Sequence, residues 1–263
     1  MAKAKRVVAL GDTHCGHVAG LTPPDWQYRR ESDNPYQKNF AEMQSKEWVW
    51  FQQKAESLQP VDILICNGDM IDGKGEASGG TELITTDRKE QVSMARKCIE
   101  AVKPKSVYMI YGTGYHVGKE EDWEAVLAEE VGAEKIGSHE WFDCNGLVFD
   151  CKHFLSGSII PHGRHTAISR DKLWNELWAI KGGQPMADVF LRSHVHYFNY
   201  AGEGDKLMVI LPALQVWSKY GARRHAGIVN TGFVHFDVTS KTDYTWQPHL
   251  LDMREFAPVA MKV

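Results

Sequence analysis

The chain has 263 residues, 43% hydrophobic and 24% charged, which is ordinary globular usage and excludes a disordered or fibrous protein. A formal charge of −4 lacks the basic excess of a dedicated nucleic-acid binder. The five cysteines (Cys15, Cys66, Cys98, Cys144, Cys151) are odd in number and hold no CxxC pair, which argues against a disulfide framework and a cysteine-rich zinc site.

No apolar stretch approaches the roughly 20 residues that cross a bilayer, and the run before Gly11 is too short for a signal peptide. A cytoplasmic protein without a membrane role is expected. Its length suits one large α/β domain spanning residues 1–263.

Residues 7–10 form an apolar run ending at Gly11 and predict a buried strand; residues 62–66 predict another, ending before Gly68. Each hands an aspartate, Asp12 or Asp69, to the loop that follows. Between them, Phe40, Met43, Trp48, Phe51 and Ala55 recur at helical intervals and predict a crossover helix over 34–58. The glycine-rich stretch 73–80 is expected to be a loop beside the site. A second helix is expected over 86–102 with Asp87 as its N-cap, then a third strand over 107–111, ending at Gly112. Such alternation implies a parallel sheet. Ligands of such sheets gather beyond the carboxyl ends of the strands, where Asp12, Asp69 and residues 113–116 fall. The second half is less regular, with helices expected over 120–131 and 167–180. Strands over 147–151, 188–191, 207–211 and 232–238 suggest a second sheet.

Asp12 and His14 alternate directly after the first strand, so in an extended segment both side chains point the same way. His194 and His196 repeat that arrangement in LRSHVHYF. Asp69 follows Gly68, whose tight turn leaves the carboxylate free to bridge two cations. Mixed carboxylate and imidazole donors suit manganese, iron, zinc, cobalt or nickel better than calcium or magnesium. Twelve histidines produce HxH spacing by chance, so each motif alone is weak. Their ordered placement at strand ends is what points to a metal site. His116 is a candidate to protonate a leaving oxygen.

The ordered motifs GDTH, NGDMIDG, GTGYH, FDCKHF and SHVH resemble the calcineurin-like metallophosphoesterase superfamily, and their wording resembles uncharacterised bacteriophage and prophage members. The resemblance implies a four-layer α/β/β/α sandwich with two mixed β-sheets. It implies two divalent ions, manganese first, with iron, zinc, nickel or cobalt as alternatives. One ion would be held by Asp12, His14, Asp69 and His196, the second by Asp69, His153 and His194. Two departures stand out. The segment Gly112–His116 has Thr113 where relatives carry an asparagine ligand, so Thr113 or water takes that place. FDCKHF keeps one histidine, His153, where many relatives have two.

The implied activity is hydrolysis of phosphate esters by water activated between the two ions, with phosphodiesters, nucleotides or nucleic acid ahead of monoesters. The competing reading is an inactive metal-binding scaffold of the same fold. If phage-encoded, the protein would work in the host cytoplasm. His162 and Arg164 are candidate substrate contacts, against a plain solvated loop. Arg192, Lys219, Arg223 and Arg224 are further candidate phosphate contacts. Trp26, Tyr28, Tyr115 and Trp217 are candidate stacking platforms, against ordinary core packing. No protein partner or oligomeric state is legible.

Overall fold

The computed structural model describes residues 3–118, 122–158, 160–218, 228–256 and 260. The first half alternates β1 (Lys5–Leu10), α1 (Pro35–Ser57), β2 (Val61–Cys66), α2 (Arg88–Val102), β3 (Pro104–Ile110), α3 (Gly114–Val117), α4 (Trp123–Glu130) and β4 (Lys135–Gly137). The second half adds β5 (His139–Cys144), β6 (Leu147–Lys152), α5 (Arg164–Ile180), β7 (Val189–Arg192), β8 (Asn199–Glu203), β9 (Lys206–Ile210), β10 (Gly232–Ser240) and β11 (Asp243–Leu250).

These strands build two mixed sheets, ordered β11-β10-β1-β2-β3-β4 and β5-β6-β7-β9-β8. In the first, β1 to β4 run parallel and β10 lies antiparallel to β1. In the second, β6, β7 and β9 run parallel between two antiparallel edge strands.

Alternation along β1 explains the layering. Val8 and Leu10 face a core shared with Phe51 and Ala55 of α1, Val92 and Ile99 of α2 and Leu127 of α4. Val7 and Ala9 point the other way, into a core shared with Phe149, Val189 and Val209 of the second sheet. On the far side, Phe190 and Met208 pack on Ile168 of α5. The result is the expected α/β/β/α sandwich, and central strands covered on both faces read as continuous apolar runs for that reason. Among the described residues, no helix is long and apolar enough to cross a membrane.

Caps fall where the side chains demand. Asn34 accepts from the Tyr36 amide, and Asp87 accepts from the Lys89 and Glu90 amides. Three expectations need correction. The strand over 232–238 does not join the second sheet; as β10 it returns to the first, pairing Phe236 with Val7. The helix expected over 167–180 begins at Arg164, so the PHGRH segment is a short turn running into a helix rather than a loop. In the region expected as a helix over 120–131, α4 opens at Trp123 behind the Asp122 cap.

One polar residue sits badly. Glu47 of α1 is fully buried and neither carboxylate oxygen has a hydrogen-bond partner. Burial pushes its pKa well above the usual carboxylate range, so the acid is held neutral.

Candidate metal centre

The loops beyond β1, β2, β6 and β7 meet at one end of the sandwich, and their backbone there is unusual. Among the described residues seven non-glycine residues take positive φ, and five of them are Asp12, His14, Asp69, His194 and His196. This left-handed conformation costs on the order of 1–3 kcal/mol for a non-glycine residue and persists only where the surroundings enforce it. The two D-x-H and H-x-H segments are therefore not extended, contrary to expectation. Each candidate ligand is instead turned individually toward the site.

The enforcement is visible. The amides of Asp12 and His14 donate to the carbonyls of Gly68 and Asp69 (2.9 and 3.0 Å), and the His194 amide donates to Asp12 Oδ2 (3.0 Å). Two glycines permit the approach. A Cβ on Gly68 would lie 2.6 Å from His153 Nδ1, and one on Gly112 would lie 2.1 Å from Asp69 Oδ1.

The side chains form three donor groups, each with its ligand atoms within 4.8 Å of one another: Asp12, His14 and His196; Asp69, His153 and His194; and His14, Asp72 and His116. Asp69 groups with His153 and His194. Asp12 Oδ1 lies 3.8, 3.9 and 3.4 Å from Nε2 of His14, His153 and His196, between the first two groups. Both carboxylates thus sit among histidines delivered by different sheets.

The rings are oriented from behind. His14 Nδ1–H donates to Asp72 Oδ1 (3.0 Å), and His153 Nδ1–H donates to the Asn67 carbonyl (2.7 Å). A carboxylate or carbonyl only accepts, so each neutral ring keeps its Nε2 lone pair for the site. His153 Nε2 then faces Asp69 Oδ2 at 2.9 Å without an aligned hydrogen bond, and His14 Nε2 faces His196 Nε2 at 3.2 Å. Asp12 Oδ1, fully buried, also has no hydrogen-bond partner.

Burial weighs most on His153 and favours its neutral form, but Asp69 and Asp12 outweigh it and lift the pKa to about 9. Burial raises the Asp69 pKa, yet His153, His116 and His14 hold it below the usual carboxylate range. Buried carboxylates that draw protons onto the neighbouring imidazoles are what a pair of cations would satisfy in the protons' place, so these residues fit two divalent ions.

Thr113 stands beside Asp69 rather than apart from it. Its amide donates to Asp69 Oδ1 (2.7 Å), and its hydroxyl lies 3.2 Å from the same oxygen. His116, on α3, donates from Nδ1 to the Asp72 carbonyl (2.9 Å) and directs Nε2 toward Asp69 Oδ2, 4.0 Å away. Burial, with His14 next in weight, lowers its pKa and keeps the ring neutral.

Two acids that motif spacing did not reveal hold this arrangement. Asp72, three residues past Asp69 in NGDMIDG, orients His14. Glu124 accepts from the amides of Met70 (2.8 Å) and Gly112 (2.6 Å), tying the β2 and β3 loops together. Burial, then Asp69, push the Glu124 pKa up to about 8 against those two bonds. Its only signal in sequence is an acid inside the apolar run WEAVLA.

A cavity of about 440 Å³ opens over this floor; Tyr115, His116 and Trp217 are among its lining residues. His162 and Arg164 are not. His162 is exposed, and the Arg164 guanidinium lies over the Tyr197 ring at 4.2 Å. Arg192 is corrected outright: it is buried, and its charge is absorbed by Asp150 and Asp171 (both 2.8 Å). Trp26 donates to Glu90 and lies under Lys97, and Tyr28 packs on the cluster of Val18, Ala19 and Phe40. Lys219, Arg223 and Arg224 lie outside the described residues.

No family profile and no curated protein sequence matches the chain. Solved structures do resemble it in fold. Vps29 from Entamoeba histolytica, in complex with Zn²⁺, aligns at 10% identity over 93% of this chain and 98% of its own, with a TM-score of 0.47. An archaeal phosphodiesterase aligns at 14% identity over 93% and 99%, with a TM-score of 0.46. A predicted phosphoesterase from Streptococcus pneumoniae aligns at 9% identity over 95% and 100%, with a TM-score of 0.40. At these identities the likeness concerns fold and not activity, and it lends no support to the bacteriophage resemblance.

Proposed function

We propose that this chain is a cytoplasmic, binuclear metal-dependent phosphoesterase of the calcineurin-like kind, acting on phosphodiesters or nucleotides ahead of simple monoesters. The observation that carries the reading is the floor of the cavity. There, Nε2 of His14 and His153, with the other nitrogen of each ring already donated, meets the buried carboxylates of Asp12 and Asp69.

Asp12, His14 and His196 would hold one ion, and His153 and His194 the other, with Asp69 bridging. Bound divalent ions supply Lewis acidity toward the phosphate and lower the pKa of water. The chain's own residues supply the rest. Asp72 and the Asn67 carbonyl fix the rings of His14 and His153, while Glu124 fixes the loops that carry Asp69 and Thr113. His116 is anchored through Nδ1 and presents Nε2 to the leaving oxygen; as the imidazolium, protonated at Nε2, it would be the proton donor. Manganese is the first ion to try.

Turnover of bis-p-nitrophenyl phosphate, p-nitrophenyl phosphate, cyclic nucleotides and single-stranded DNA with added Mn²⁺ tests this reading. Metal-dependent hydrolysis of the diesters is expected. Thr113, where relatives carry an asparagine ligand, favours a second reading as a scaffold. Two bound ions with no turnover on any substrate would choose it.

A further inference from the structure

One wall of the cavity is built from three chain segments outside the donor groups. His17 bridges Leu83, Gly20 bridges Gln215, and the Val18 and Val216 amides donate to Glu82 and Ala19 (2.9 and 2.8 Å). Gln44 of α1 braces the wall from behind by donating to the Val18 carbonyl (2.9 Å). The segments are thus fixed to one another like short strands, and their side chains face the same cavity.

His17 is the unusual member. It is 7% exposed, and the Ala19 amide donates to its Nδ1 (3.0 Å). An amide N–H only donates, so Nδ1 is the acceptor and the ring proton sits on Nε2. No hydrogen bond within the described residues engages that Nε2–H, although His17 lines the cavity. A donor on the cavity wall that no acceptor among the described residues engages is open to a ligand acceptor. Gln215 lines the same cavity, as do Trp217 and Tyr115, which are 41% and 39% exposed.

We propose that this wall is the subsite for the ester group that stays on the phosphate and that the group it takes is a nucleoside. His17 Nε2–H and the Gln215 amide bind the sugar oxygens, and Trp217 stacks on the base. A cavity of about 440 Å³ has room for that group beside the phosphate. Polar donors on the wall favour a hydroxylated group over an alkyl chain. An open aromatic face is satisfied by any planar base. The assignment rests on the phosphoesterase reading for its catalytic half only.

The test compares two esters that release the same p-nitrophenolate: bis-p-nitrophenyl phosphate and the p-nitrophenyl ester of uridine 5′-monophosphate. The full-length protein with Mn²⁺ should prefer the uridine ester in kcat/KM. His17→Ala should lower that preference about tenfold, the worth of one hydrogen bond. His17→Gln, which keeps an N–H donor, should restore part of it, and Trp217→Ala should weaken KM for the uridine ester. Absence of preference in the parent, or equal losses on both esters, would overturn the assignment while leaving the phosphoesterase reading intact. If neither ester is turned over, that reading fails and binding decides. Uridine 5′-monophosphate quenching the protein's fluorescence more weakly in His17→Ala upholds the subsite, and equal or absent binding overturns it.

Discussion

The floor and the wall of the cavity are made in different ways. On the floor, Asp12, His14, Asp69, His194 and His196 are held in left-handed backbone, with buried carboxylates and imidazoles pressed together. On the wall, His17 and Gln215 do not take positive φ and are joined to their neighbours by strand-like bridges. Strain is spent where several ligands from distant segments must converge on one point. Where a surface has only to recognise, relaxed backbone suffices. The floor should therefore govern reaction on every substrate, and the wall should govern which substrate is preferred.

Three changes probe the floor. The largest effect is expected of Asp69→Asn, which should abolish turnover of all phosphate esters alike; an active variant would remove Asp69 from the centre of the floor. Next, His116→Ala should slow esters of poorly acidic alcohols by about 10²–10⁴-fold, the usual worth of a positioned acid, and p-nitrophenyl esters far less. Equal losses on both would deny it a proton-transfer role. Asp72→Asn should weaken Mn²⁺ binding about 10–100-fold, since carboxylates behind metal-bound imidazoles carry that much. Calorimetric titration of the metal reads this directly, and unchanged affinity would show that His14 needs no orienting partner.

The smallest effect lies outside both regions. Glu47 is neutral in the folded protein, whereas in the unfolded chain it ionises near its ordinary value of about 4.3. The folded state thus binds the proton more tightly, and stability falls as pH rises above that value. Glu47→Leu should remove this loss and add about 1–3 kcal/mol at pH 8, with less gain at pH 5. Denaturant melts at the two pH values measure it. A gain that is the same at both would mean the carboxyl is not held protonated.

How far the sequence could be read follows the same division. Residues 7–10 and 62–66 are legible because both faces of their strands are buried, so apolar runs end abruptly at Gly11 and Gly68. The parallel sheet and the placing of Asp12, Asp69 and His194 after strand ends follow from those runs, whereas the four-layer sandwich is implied only by the family resemblance. β4 has three residues and β8 reads NYAGE, too short or too polar to signal a strand. The return of β10 to β1 is a tertiary choice that local pattern does not encode. Asp72 and Glu124 escaped because their roles depend on partners distant in sequence: Gly112 lies twelve residues from Glu124, and Asp72 lies fifty-eight from His14. Arg192 misled for the converse reason. The planar donor fork of an arginine suggests phosphate, but its partners Asp150 and Asp171 come from another strand and a helix.

Anomalous scattering from crystals soaked in Mn²⁺ addresses the floor most directly. Two peaks are expected, one among Asp12, His14 and His196 and one beside His153 and His194, with Asp69 between them. A single peak elsewhere, or none within reach of these side chains, would contradict the dinuclear centre.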